Sequence, residues 1–290
     1  MPELPEVEIV GRGLAEAFVG HRVCAITRRF DRLRWPIPDH LLESIQGPDP
    51  LAGGVLRSVT RRSKYLLLGF DGGTLLVHLG MSGTLRRLAL DTPATLHDHL
   101  DIAFEDRLLR YNDPRRFGAV LWDERQPDAV LGSHPLLRGL GVEPFSPAFD
   151  AAHLYRATRG RKVAIKQLLL SGCAVVGVGN IYASESLFRA RIRPTLAAGR
   201  LRLADCERLV VTVRETLADA IEAGGSTLRN FVASSGATGY FQMNTFVYDR
   251  AGQPCRRCDT AVREIRQQGR ASYYCPVCQP ARLPARSPAG

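Results

Sequence analysis

Tyr65-Leu66-Leu67-Leu68-Gly69-Phe70-Asp71-Gly72-Gly73-Thr74-Leu75-Leu76-Val77-His78 reads as two apolar runs joined by a glycine turn, the pattern of a buried β-hairpin. Around it, Val55 to Asp123 is strand-rich, and Glu105-Asp106 marks another turn between two such runs. A β-sandwich or barrel is expected for this half of the chain. Ahead of it, residues 3 to 19 read as a helix ending near Gly20. From Gln126 to Pro147 prolines and glycines break the pattern, which predicts a linker. Beyond the linker the period becomes helical. Leu209, Val213, Leu217 and Ile221 mark one helix face, with Asp205 as its expected cap and Gly224-Gly225 as its end. Further helices are expected at 162–171, 180–190 and 226–234.

The chain has 290 residues, 45% of them hydrophobic, enough for two cores. Its apolar runs are far shorter than a membrane span, and the acidic N-terminus lacks the basic flank of a secretory signal, so a cytoplasmic protein is expected. Lys+Arg 39 against Asp+Glu 29 gives a net charge of +10, which favours a polyanionic partner, nucleic acid foremost. Basic residues concentrate at the C-terminal end, where residues 251–290 carry seven Arg against two acids. Three of the 39 basic residues are lysine: Lys64, Lys162 and Lys166. Where arginine supplies nearly every solvated cation, a retained lysine marks a place for an amine that can lose its proton.

The chain begins Met1-Pro2-Glu3-Leu4-Pro5-Glu6. Removal of Met1 leaves Pro2 with a secondary amine, and an α-amino group titrates at about 7.7 to 8.0 against about 10.4 for lysine. Such an amine is a nucleophile at neutral pH. One helical turn sets two acids, Glu3 and Glu6, beside it, so a nucleophile and a proton donor fall together. The same residues also spell an ordinary helix start, with proline first and acids in the first turn.

Cys255, Cys258, Cys275 and Cys278 form C-x2-C-x16-C-x2-C, the spacing of a four-thiolate zinc site, with two disulfides as the alternative that a cytoplasmic setting disfavours. Between the pairs, Val262 to Tyr274 suits a hairpin holding Arg263, Arg266 and Arg270 outward toward phosphate. Cys24, Cys173 and Cys206 are expected in the core. Gly177-Val178-Gly179-Asn180 stands before a helix, either as a phosphate site or as a tight loop capped by Asn180. Met81 and Phe117 sit on turns, either as core residues or as wedges into a base stack, with Arg115 filling the space of an absent base.

Taken together, MPELPEVE, RRSKYLL, HLGMSGTLR, HDHLD, YNDPRRFG, VGVGNIYASESLF, GYF and the four cysteines resemble the formamidopyrimidine-DNA glycosylase family, from residue 2 to about 279. The resemblance implies a two-domain α+β fold: an N-terminal β-sandwich carrying the first helix, then a helical domain with a helix-two-turn-helix motif and a β-hairpin zinc finger. Expected bounds are 1–125 for the sandwich, 126–150 for the linker, 151–245 for the helical domain, 246–280 for the finger and 281–290 for a disordered tail. DNA would lie between the domains. By matching motif, Pro2 is the Schiff-base nucleophile, Glu3 the general acid, Glu6 its support, and Lys64 and Arg270 the residues that hold lesion-flanking phosphates and assist elimination. His78, His97, Asn180 and Tyr248 resemble DNA contacts. So does Arg161, where related enzymes often carry lysine. Lys166 matches a lysine tied to lesion recognition, and Met81, Arg115 and Phe117 match the trio that fills the gap left by a flipped nucleotide. Ser234 to Asn244 resembles a segment that closes over the flipped base.

The activity implied is removal of oxidised purines such as 8-oxoguanine and formamidopyrimidines from double-stranded DNA, then strand cleavage by β,δ-elimination. The enzyme would act as a monomer at the nucleoid, with one structural zinc ion. Two rivals stand beside it: an endonuclease VIII-type glycosylase for oxidised pyrimidines, against which Leu4 and the complete Met81, Arg115, Phe117 set argue, and a noncatalytic zinc-finger DNA-binding protein.

Overall fold

The computed structural model describes residues 2–39, 54–224 and 245–281. The described residues through Gly139, with residues 221–224, form one compact unit, and a second is built from Leu140–Ala220 and the described residues from Thr245 onward. Each unit has its own apolar core.

In the first unit helix α1 (Leu4–Phe18) precedes strands β1 (Val23–Arg28), β2 (Leu56–Arg62), β3 (Tyr65–Phe70), β4 (Gly73–His78), β5 (Thr84–Leu88), β6 (Asp98–Phe104), β7 (Leu108–Asn112) and β8 (Ala119–Asp123). These make two antiparallel four-stranded sheets, ordered β1-β6-β7-β5 and β2-β3-β4-β8. The hairpin expected from residues 65–78 is β3–β4, with Leu66 opposite Val77 and Leu68 opposite Leu75. Those four side chains join Leu100, Ile102, Leu109 and Tyr111 of the other sheet in one core, closed on its flank by Val7, Leu14 and Phe18 of α1. Burial of such side chains stabilises by roughly 1.5–3 kcal/mol each before entropy is counted.

Register decides what gathers at one end of this sandwich. Tyr65 pairs with His78 and His78 with Ala119, while Thr84 and Asp98 both pair with Asn112. The turn Ser63-Lys64 and residue His97 therefore emerge together with the two loops that cross between the sheets, Leu79–Gly83 and Asp113–Gly118. Helix α1 starts at this same end. Its C-terminal part is held at the opposite end, where Arg107 of the β6–β7 turn donates to the Ala17 carbonyl at 2.6 Å and Gly20 N–H donates to Leu56 O at 2.8 Å. Closer to the helix start, Arg61 Nε donates to Glu8 at 2.7 Å.

The region read as a linker begins with a helix, α2 (Pro127–Ser133), whose Pro127 seats against Gly69 of β3. A Cβ on Gly69 would come within 2.8 Å of the proline ring, so the strand needs glycine there. In the second unit follow α3 (Ala151–Thr158), α4 (Ile165–Leu170), α5 (Asn180–Arg189), a 3-10 turn (Ala198–Arg200), α6 (Leu203–Gly224) and a hairpin of β9 (Arg263–Gln267) and β10 (Arg270–Tyr274). Helix α6 starts two residues before the expected cap. Asp205 lies inside its first turn and accepts the backbone N–H of Arg202 at 2.9 Å, the reaching-back half of a capping box. Asn180 is likewise the first helical residue of α5, with Gly179 at the N-cap. Of the three scattered cysteines, Cys206 is buried, and burial pushes its thiol up to about 11. Cys24 and Cys173 are exposed, contrary to the core placement expected for them. The helix expected at 226–234, the closing segment Ser234–Asn244 and nearly all of the C-terminal tail lie outside the described residues.

Candidate active site and nucleic-acid interface

Pro2 is half-buried, just ahead of the N-cap of α1. Glu3 is the N-cap, 2% exposed, and Glu6 is N3 of a capping box whose carboxylate accepts the Glu3 N–H at 2.7 Å. Leu4, with none of its surface exposed, roots the first turn in the protein interior. The residues that spell the helix start are the same ones the reactive-terminus reading names. The cap that begins the helix also holds a buried carboxyl next to Pro2.

The two crossing loops, the Ser63-Lys64 turn and His97 share this end of the sandwich. Met81 and Phe117 are 41% and 48% exposed, so neither is a core residue, and the Arg115 guanidinium lies 4.8 Å from the Phe117 ring centroid. Gly80, at φ 60°, allows the two crossing loops to touch: a Cβ there would fall 2.5 Å from the Gly118 nitrogen. His78 packs its ring on Tyr65 and accepts the Gly80 N–H at Nδ1, 3.1 Å away. Burial, then the positive charges of Lys64 and Arg34, push its imidazole down to about 4. At neutral pH His78 is therefore uncharged, and with Nδ1 accepting, Nε2 carries the proton and is the donor. Lys64 occupies the β2–β3 turn, and His97 stands just before β6 with its carbonyl accepting the Asp113 N–H at 3.1 Å.

The second unit assembles a different cluster. Gln268 and Gly269, at φ 47° and 77°, make the two-residue turn between β9 and β10, and Arg270 follows it, exposed. The carbonyl of the next residue, Ala271, receives both Lys166 Nζ and Asn180 Nδ2, each at 3.0 Å, and Lys166 also donates to Ser272 Oγ at 2.8 Å. Lys166 has no exposed surface. In this DNA-free structure Lys166, the lysine matched to lesion recognition, grips the strand that carries Arg270. Asn180 reaches the same carbonyl through its amide nitrogen. Arg161 is exposed after α3, and Tyr248 packs edge-on against Tyr273 with ring centroids 5.1 Å apart. Sequence reasoning passed over Glu185. This carboxylate, 1% exposed on α5, accepts the N–H groups of Phe246, Val247 and Tyr248 at 2.8–3.0 Å and fixes the approach to the finger. Its signal was an acid between Ser184 and Ser186 on a helix that buries all three.

The Sγ atoms of Cys255, Cys258, Cys275 and Cys278 all lie within 4.8 Å of one another, with pairs at 3.5 and 3.9 Å. Zinc–sulfur bonds of about 2.3 Å in a tetrahedron require sulfur–sulfur edges of about 3.8 Å, so the four thiols fit one zinc ion. Four thiolates fill its coordination, and the role is structural. Gln279 secures the knuckle: its Oε1 accepts the Cys275 N–H at 3.0 Å and its Nε2 donates to the Ile192 carbonyl at 2.8 Å.

Residues 1–120 match the Formamidopyrimidine-DNA glycosylase N-terminal domain, 140–232 the Formamidopyrimidine-DNA glycosylase H2TH domain, and 252–281 the zinc finger found in FPG and IleRS. A formamidopyrimidine-DNA glycosylase of Cupriavidus pinatubonensis is 58% identical, over 96% of this chain and all of the relative. One from Burkholderia multivorans is also 58% identical at the same coverage. The chain belongs to the formamidopyrimidine-DNA glycosylase family. Among solved structures, Lactococcus lactis Fpg in complex with abasic-site DNA superposes with a TM-score of 0.81 at 33% identity, over 96% of this chain and 99% of that one. MutM bound to DNA containing carbocyclic 8-oxo-G gives 0.81 at 34% identity, with the same coverage of this chain and all of that one. Like those family members, this chain is a DNA glycosylase with a zinc finger. Among the described residues no helix is long and apolar enough to cross a membrane.

Metal analysis of the purified protein should find one zinc per chain. Cys258→Ser should lose the metal to a chelator at concentrations that leave the unaltered protein loaded, and should bind DNA more weakly; equal retention of zinc by both proteins would remove Cys258 from the site. His78 gives a pH signature. Its folded pKa lies below the unfolded value of 6.5, so its stabilising contribution is complete above that value and falls away as pH drops toward about 4. The loss amounts to about 3 kcal/mol. Denaturation of wild type and His78→Gln between pH 7 and pH 4 should show that extra loss in the wild type alone, and parallel curves would contradict it.

Proposed function

We propose that the chain removes oxidised purines from double-stranded DNA through the amine of Pro2 and then cleaves the strand at the abasic site. The observation that carries this reading is the buried Glu3 carboxyl at the helix cap, directly after Pro2. With Met1 removed, the Pro2 amine attacks C1′ of the damaged nucleotide and the oxidised base leaves. The sugar ring opens as Glu3 donates a proton to its oxygen, giving an iminium between Pro2 and C1′. The iminium acidifies the C2′ proton. Its removal expels the 3′ phosphate, a second elimination expels the 5′ phosphate, and hydrolysis of the iminium frees Pro2. Glu6 keeps the first turn in place through the Glu3 N–H.

A base inside a duplex must first leave the stack, which costs a few kcal/mol. Met81 and Phe117 wedge the opened stack and Arg115 fills the vacated space. Lys64, His78, His97, Arg161, Asn180, Tyr248 and Arg270 hold the DNA backbone, with Lys64 and Arg270 assisting elimination. His78 does so as a neutral Nε2–H donor. Lys166 serves indirectly, by holding the Arg270 strand. The enzyme acts as a monomer at the nucleoid. The full-length likeness to relatives named for formamidopyrimidine supports the purine reading over the oxidised-pyrimidine alternative.

Borohydride reduction of the protein mixed with 8-oxoguanine DNA should join the two covalently, and peptide mapping should place the link on Pro2. An adduct on Lys64, or none from protein whose mass shows Met1 removed, would overturn the assignment.

A further inference from the structure

Met81 and Phe117 stand on different loops, so a wedge made from both requires something that holds those loops in one register. A buried side chain bonds to both, beside a direct bond from the Arg115 N–H to Ser82 Oγ at 3.3 Å. Asp113, with none of its surface exposed, opens the loop between β7 and β8. Its Oδ1 accepts the Ser82 hydroxyl from the Met81 loop at 2.6 Å and the Arg115 N–H at 3.2 Å. Its Oδ2 accepts the Gly118 N–H at 2.9 Å and the Tyr111 hydroxyl at 3.3 Å. The backbone is engaged as well: the Asp113 N–H donates to His97 O, and its carbonyl accepts the Arg116 N–H and meets His99 Nε2 at 2.9 Å. Burial, followed by the neighbouring Asp113, pushes the Tyr111 hydroxyl above its usual range, so it remains a donor.

We propose that Asp113 is the positioning residue of the wedge, locking Leu79–Gly83 to Asp113–Gly118 so that the duplex meets an edge already in place. Loops left to order on binding would give up conformational entropy at the moment the stack must open. The proposal rests on the reading of Met81, Arg115 and Phe117 as the stack-opening trio.

Asp113→Asn is a sharp test because the donor pattern leaves the amide no good orientation. An amide has one acceptor oxygen where the carboxylate has two. Hydroxyls such as Ser82 and Tyr111 can turn, but the backbone N–H groups of Arg115 and Gly118 cannot, and they meet opposite oxygens. Whichever way the amide lies, its NH2 faces one of them: Gly118 N–H loses its acceptor, or Arg115 N–H keeps only Ser82 Oγ at 3.3 Å.

The experiment compares single-turnover excision by the full-length, zinc-loaded protein from two 8-oxoguanine duplexes, one fully paired and one already unpaired around the lesion. For Asp113→Asn the ratio of paired to unpaired rates should fall about tenfold or more, the equivalent of one buried donor left unsatisfied. Phe117→Ala, measured alongside, should lower the same ratio. If Asp113→Asn slows both substrates equally, or neither, while Phe117→Ala lowers the ratio, Asp113 is not the positioning residue and the wedge reading stands. If Phe117→Ala leaves the ratio unchanged, the wedge reading fails and the proposal with it. Should Asp113→Asn not fold, judged by circular dichroism, Ser82→Ala removes only the cross-loop link. It must lower the ratio in the same direction, and an unchanged ratio overturns the proposal.

Discussion

The hydrogen bond from the Glu3 N–H to the Glu6 carboxylate, 2.7 Å long, is the interaction on which the proposed reactive end of the molecule depends. Chain termini are ordinarily the least ordered part of a domain. An enzyme that uses its terminal amine must suppress that disorder without burying the amine itself. Here the capping box stops fraying at the first turn, and Leu4 anchors that turn in the core. Pro2 is left half-buried, one residue before the cap.

What the cap achieves for the first residues, strand register achieves for the rest of that end. Neither Lys64 nor His97 nor Phe117 is near Pro2 in sequence. They gather because Tyr65, His78 and Ala119 lie in a row across one sheet, and Thr84 and Asp98 flank Asn112 in the other. Slipping one strand by a residue would turn its core face outward and scatter the group. The apolar core of the sandwich is therefore also what positions its polar end.

Much of this was legible in the sequence, and the failures have physical causes. The β3–β4 hairpin announced itself because both strands carry unbroken apolar runs, Leu66–Leu68 and Leu75–Val77, on either side of a glycine turn. Strand β1, Val-Cys-Ala-Ile-Thr-Arg, carried a weak signal because it lies at a sheet edge and leaves much of itself exposed. The seven-residue α2 hid in a proline-rich stretch, since its proline is a helix start and it buries only Pro127 and Val130. The four cysteines were readable because metal geometry dictates spacing. Lys166 was not: a sequence displays a charge but not its burial, and only the fold reveals an ammonium turned inward onto Ala271. Net charge misleads in a related way. Several of the arginines behind the +10 are internal, as with Arg110 on Asp101 at 2.8 Å and Arg61 on Glu8, so the charge facing DNA is carried by a subset.

The central claim is that this sandwich end acts on oxidised purines. Single-turnover excision from matched duplexes, one carrying 8-oxoguanine and one an oxidised pyrimidine, tests it most directly. Faster release of 8-oxoguanine, in a reaction that ends in strand cleavage, is the result this account predicts. Preference for the pyrimidine, or binding to both duplexes with no base released from either, would contradict it.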